Sequence, residues 1–125
     1  MKPILCAVVA CLLASPALAD ATLGVGLNIT GDAEVKRVTY DCDHHDPISV
    51  QYLNAAPNFL AVVPVESDGA TTAVVFVNVI SGSGAKYVAA QYEWWTKGPE
   101  ATLHDVTEGL DAAPVLSCTE QVDTP

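Results

Sequence analysis

Positive charge is scarce in this chain. Its 125 residues hold five Lys and Arg against fifteen Asp and Glu, for a formal charge of −10. So acidic a surface repels nucleic-acid backbones and anionic lipid headgroups, and argues against both as partners. A basic partner is instead attracted and steered, in a salt-dependent way. Aromatic residues make up only 6% of the chain, so any place where they gather stands out. Histidine is also rare, at three residues, which leaves little material for a metal site. No stretch of a dozen residues repeats its apolar positions at the helical period of about 3.6. Long apolar runs are missing beyond the first nineteen residues, and a membrane-crossing helix needs about 20.

Those nineteen residues read as a Sec signal peptide. Met1-Lys2 is a basic start, Ile4 to Leu13 is apolar, and Ala17-Leu18-Ala19 gives a small-x-small cleavage pattern before Asp20. A competing box, Val8-Val9-Ala10-Cys11, resembles a lipoprotein cleavage site, but its use strands Leu12 to Pro16 outside the cut. Cleavage after Ala19 leaves residues 20–125, long enough for one small domain. It also leaves four basic residues, Lys36, Arg37, Lys86 and Lys97, against all fifteen acidic ones, a charge of −11. Cys6 and Cys11 depart with the leader, and Cys42 and Cys118 remain. An even pair in an exported protein predicts a disulfide.

Residues 20–33 hold three glycines and read as a flexible N-terminal arm or a marginal first strand. From Glu34 the texture becomes β. Val38, Tyr40 and Cys42 alternate with polar residues, as do Ile48, Val50 and Tyr52. Phe59–Val65 and Thr71–Ile80 are apolar, β-branched runs around the turn Ser67-Asp68-Gly69. Tyr87–Lys97 alternates less cleanly and holds an aromatic strand, Tyr92-Glu93-Trp94-Trp95, before the turn Thr96-Lys97-Gly98-Pro99; Ala101–Val106 and Pro114–Thr119 follow. Turn residues every 8 to 12 positions or so predict one all-β antiparallel domain spanning 34–125, a barrel or a sandwich. A Cys42–Cys118 bridge pins the first confident strand to the last, which is one way to close a sheet and remove its edges.

Several residue groups invite a chemical reading. Asp41-Cys42-Asp43-His44-His45-Asp46 suggests a metal site at first sight. Adjacent histidines on an extended chain point in opposite directions, however, and a solvated turn is the better account. Ser83 with Lys86 or Lys97 suggests a Ser-Lys dyad, but no oxyanion-hole sequence accompanies it. No cofactor and no catalytic group are therefore expected. The most distinctive stretch is Ser81–Leu103, which holds both tryptophans, two of the four tyrosines and two of the four basic residues left after the leader. Adjacent Trp94 and Trp95 must face opposite sides of a strand, one to the core and one outward. A partly exposed Trp beside a lysine is what interface anchors look like.

Within that stretch, Ser83-Gly84-Ala85-Lys86-Tyr87 and Trp95-Thr96-Lys97-Gly98 resemble the paired motifs SGx(R/K)Y and (F/W)xKG. These are motifs of the bacterial inhibitors of c-type lysozyme, the membrane-bound and periplasmic MliC/PliC group. Tyr40-Asp41-Cys42, the Val50-Tyr52-Asn54 strand, Ala101–Leu103 and Cys118 are similar as well, so the likeness covers roughly residues 38–120. It implies an eight-stranded antiparallel barrel whose motif loops enter the cleft of a c-type lysozyme. By position, it implies that Ser83 and Lys97 meet the catalytic carboxyls, Lys86 and Tyr87 brace the first loop, and Gly84 and Gly98 supply the turns. The turn after Cys42 departs from the family's small, Gly-rich one. A module binding a small ligand or cell-wall saccharide is the alternative, and the sequence leaves a homodimer open.

Overall fold

The computed structural model describes residues 21–122, with Pro3 and Ala14 as isolated additions. The leader, its cleavage after Ala19 and the Cys11 box lie outside the described residues. Eight strands follow one another: β1 Glu34–Cys42, β2 Ile48–Ala55, β3 Asn58–Ser67, β4 Ala70–Val79, β5 Ala85–Ala89, β6 Tyr92–Lys97, β7 Glu100–Asp105 and β8 Leu116–Glu120. Each pairs antiparallel with the next, and β1 pairs with β8, so the sheet closes as an up-and-down barrel. Of the two architectures the sequence allows, the barrel is the one formed.

Period-two alternation explains how the strands bury their residues. Val50, Val63, Phe76, Trp94 and Leu103 point inward and are fully buried. The inner aromatics are linked across the lumen. Trp94 Nε1 donates to Tyr52 Oη at 2.9 Å, and the Tyr52 and Tyr40 hydroxyls share a 2.7 Å hydrogen bond. Tyr40 meets Trp94 edge to face at 5.4 Å, and Tyr87 tilts against Tyr52 at 5.7 Å. No buried side-chain polar atom among the described residues lacks a partner. Cys42 and Cys118 stand directly opposite in the β1–β8 register and are disulfide-bonded, as expected.

Three local expectations need correction. The imperfect alternation over Tyr87–Lys97 is the β5–β6 hairpin, reversed at Ala90 with φ 49°, and the aromatic strand Tyr92–Trp95 is β6, which runs on to Lys97 where a turn was expected. Neither turn residue, Ala90 nor Gln91, is a usual turn former, so composition conceals the reversal. Val106 starts a single 3-10 turn, Val106–Glu108, and β8 begins at Leu116 instead of Pro114. The arm forms no strand, yet it is tied down near its end. Thr30 donates through both N–H and Oγ1 to the Ala56 carbonyl, and Asn58 Nδ2 donates to the Asn28 carbonyl at 3.2 Å. The β3–β4 turn behaves as its Asp-Gly sequence predicts, with Asp68 and Gly69 both at positive φ.

An up-and-down barrel sorts its connections by end. The N-terminal arm and the turns β2–β3, β4–β5 and β6–β7 lie at one end. The turns β1–β2, β3–β4, β5–β6 and β7–β8 lie at the other. His44 and His45 are therefore at the end opposite Ser83 and Lys97.

Three predictions concern stability. The Cys42–Cys118 bridge spans 76 positions, and loop-closure entropy gives it about 4 kcal/mol. Reduction under native conditions should lower the urea unfolding free energy by about that much, and an unchanged midpoint would contradict it. Separately, burial holds the Tyr40, Tyr52 and Tyr87 hydroxyls above the ordinary phenol range. Phenols that keep their protons more tightly when folded stabilise the barrel below pH ~10, and that contribution fades as pH rises further. Urea midpoints should hold from neutral to about pH 9 and then fall. Tyr52→Phe, which strips Trp94 Nε1 of its acceptor, should cost about 1–3 kcal/mol at neutral pH.

Candidate functional site

Site geometry starts from the pleat of β6. Trp94 is fixed inside, so Trp95 must lie outside, where it is half-buried. Its neighbours on that outer face are Lys86, directly opposite on β5, and Lys97, two residues along β6. Both lysines lie over the indole: Lys97 Nζ is 3.8 Å and Lys86 Nζ 4.3 Å from the ring centroid. Lys86 also reaches Glu93 at 3.9 Å. Lys97 is exposed, and among the described residues no carboxylate lies within ion-pair distance of it.

The same tryptophan builds the first motif loop. Its Nε1 donates to the Ser83 carbonyl at 2.9 Å, fastening the β4–β5 loop to β6. Ser81 Oγ lies 3.2 Å from both the Ser83 and Gly84 carbonyls and curls the loop on itself. Thr96 Oγ1 donates to the Ala85 carbonyl and Asn78 Nδ2 to the Lys86 carbonyl, securing the strand that follows. Gly84 has φ 64°, and a Cβ there would sit 2.1 Å from the Thr96 carbonyl oxygen. Only glycine allows so close an approach. Gly98, at φ 57°, turns β6 into β7 with open space around it.

The two motifs are therefore brought together, and Trp95 is the joint. Ser83 is exposed at the tip of one loop, and Lys97 is exposed at the base of the other. Tyr87 is placed differently from a loop brace: it is inside the barrel, 8% exposed, against Tyr52. Any part it plays is exerted through packing. Sequence reasoning missed Ser81, whose side chain holds loop carbonyls, and Asn78, whose side chain holds the Lys86 carbonyl on β5. The SGSG run signals a polar loop, while Asn78 is hidden within a β-branched strand. Beside Lys97 runs a groove of about 300 Å³ that includes Trp95, Glu100, Thr102, His104 and Pro114.

The remaining candidates do not assemble into a site. His45 Nδ1 is 2.6 Å from the Asp46 carbonyl and Nε2 is 3.3 Å from Glu66, which joins the β1–β2 turn to the end of β3. The backbone bond to Asp46 raises the His45 pKa, opposed by desolvation and helped by Glu66. His44 has φ 56° and His104 lies on β7. Among the described residues, no three His, Cys, Asp or Glu converge as metal ligands. Both ammonium groups of the conceivable Ser-Lys dyad are turned onto Trp95.

Comparison with known proteins agrees with this geometry. Residues 40–111 match the family model described as membrane-bound lysozyme-inhibitor of c-type lysozyme. A Pseudomonas aeruginosa protein named membrane-bound lysozyme inhibitor of C-type lysozyme is 50% identical over 97 residues, covering 76% of this chain and 74% of its own. A Cupriavidus necator protein of the same name is 38% identical over 120 residues, covering 93% of each. The solved structure of Pseudomonas aeruginosa MliC in complex with hen egg white lysozyme is similar at TM-score 0.60 and 45% identity. It covers 82% of this chain and 100% of that one. Salmonella typhimurium PliC, a periplasmic lysozyme inhibitor, is similar at TM-score 0.54 and 26% identity, covering 70% and 99%. With its two motif loops joined on Trp95 and more than half its length matched by the family model, the chain belongs to the membrane-bound lysozyme inhibitors of c-type lysozyme.

Proposed function

We propose that this protein inhibits c-type lysozyme by filling its active-site cleft with the Ser83 and Lys97 loops. The observation that carries the reading is the placement of an exposed hydroxyl and an exposed ammonium, without an ion-pair partner among the described residues, at one barrel end, held by Trp95. C-type lysozyme works with two carboxyl groups flanking the scissile bond. Ser83 Oγ donates to one, and Lys97 Nζ pairs with the other. Gly84 and Gly98 allow the turns, Lys86 and Trp95 stiffen the support, and Tyr87 holds β5 in place from within. The inhibitor itself needs no catalytic group and no cofactor.

The same reading places the protein outside the cytoplasm, with the leader removed after Ala19 to give a soluble periplasmic form. Its relatives are named membrane-bound, and the Cys11 box is the route to a lipid-anchored form. Intact mass of the protein recovered from cells decides between them. A chain starting at Asp20 is expected, and an acylated chain starting at Cys11 would overturn the soluble form.

Inhibition is tested by clearance of a lysozyme-sensitive cell suspension, with residues 20–125 titrated in. The wild type should saturate near one inhibitor per enzyme. Lys97→Ala leaves the enzyme's carboxylate unpaired in the closed cleft, a loss of about 2–5 kcal/mol. Ser83→Ala removes a hydrogen bond to a charged group, about 1.5–3 kcal/mol. Gly84→Ala must displace the loop from Thr96, so it should weaken inhibition while near-ultraviolet dichroism still reports an intact aromatic core. No inhibition by oxidised, folded wild type would refute the reading. Full inhibition by both Ser83→Ala and Lys97→Ala would move the site elsewhere.

A further inference from the structure

Two short loops are too small to be the whole contact. A stable protein–protein interface buries about 800 Å² per partner and uses about 20–30 residues a side. The loops Ser81–Gly84 and Lys97–Pro99 supply seven. The rest must come from what surrounds them at the same barrel end, and one arc of that rim is apolar.

Ile80 immediately precedes the Ser81–Gly84 loop and is fully exposed, at 101%. Phe59, at the start of β3 beside β4, is 42% exposed. Next comes the β2–β3 turn, where Thr30 and Asn28 tie the arm. The arm carries Leu23, Val25, Leu27 and Ile29 at every second position, all exposed. Around this rim the order is therefore the arm, Phe59, Ile80, Ser83 and Lys97. A run of bare apolar groups ends at the two polar prongs.

We propose that Ile80, Phe59 and the arm residues Leu27 and Ile29 form the apolar half of the contact with lysozyme, packing on the lip of the cleft that the loops enter. The inference rests on the cleft-plug reading and extends its footprint to residues outside both motifs. Water-excluding apolar groups beside a desolvated Lys97 also strengthen its pairing, because they lower the local dielectric. The tethers from Thr30 to Ala56 and from Asn58 to Asn28 hold this part of the arm at the β2–β3 turn, so less of it must be ordered on binding.

The test measures association and dissociation rates with c-type lysozyme for the oxidised 20–125 protein. Ile80→Ser and the double variant Leu27→Ser/Ile29→Ser should each raise Kd about tenfold through faster dissociation. Association rate and salt dependence should stay near wild type, since no charge is changed. Leu110→Ser is the control, because Leu110 is equally bare, at 103%, in the β7–β8 connection at the opposite end. Its Kd should not move. Ile80→Ser and the double variant within about twofold of wild type would overturn the proposal, as would equal damage from Leu110→Ser. If Lys97→Ala weakens binding while Ile80→Ser does not, only the apolar extension fails. A wild type that ignores lysozyme removes both readings.

Discussion

One hydrogen bond across the lumen, from Trp94 on β6 to Tyr52 on β2, sets the position of everything outside it. These strands lie on different walls of the barrel, so the bond fixes β6 against the far side and not merely against its neighbours. With Trp94 committed to the interior, the pleat leaves Trp95 no choice of face. Trp95 then fastens the Ser83 loop through its N–H and gathers Lys86 and Lys97 over its ring. The core and the site are consecutive residues of one strand. A buried aromatic bond is thereby converted into placement of the two motif loops.

The charge distribution divides by distance. At long range the protein is acidic, which draws in a basic partner and governs how fast the two meet. At contact range the end that carries the motifs presents Lys97, whose cross-strand neighbour Glu100 stays beyond ion-pair distance, as do the other carboxylates among the described residues. On the proposed cleft-plug reading, long-range steering and short-range pairing therefore use opposite signs without conflict. The screening length in physiological salt is about 8 Å, so the acidic surface does little to cancel a lysine that is desolvated in a closed contact.

Much of this was legible in the sequence, and what was not has identifiable causes. Alternation at Val38–Cys42 and Ile48–Tyr52 gave strands and their inner faces because the barrel is wet outside and dry inside. Asp68-Gly69 announced its hairpin because that pair suits two positive φ angles. The β5–β6 reversal stayed hidden because Ala90 takes a positive φ with no glycine, asparagine or aspartate to betray it. The motifs located Ser83 and Lys97, but not what joins them. A tryptophan's N–H reaching a carbonyl twelve residues back depends on the hairpin register, which no local pattern encodes. Tyr87 shows the same limit. Its motif neighbourhood suggested a loop role, while strand parity sends it inward to Tyr52.

The geometry also weighs against a saccharide-binding module. Sugar recognition by an exposed aromatic requires a free ring face, and Trp95 already holds two ammonium groups within about 4 Å of its centroid. Two such contacts are worth roughly 0.5–1 kcal/mol each at an exposed site. That is enough to keep Lys97 near its working position and reduce the side-chain entropy lost on docking. It is far less than the 2–5 kcal/mol or so at stake when a buried carboxylate loses its charged partner. A lysine resting on an indole can therefore turn to a carboxylate at small cost, whereas a sugar would have to displace both cations and gain nothing from their charge. The indole acts as a rest for the cation, and that suits a plug for an acidic cleft.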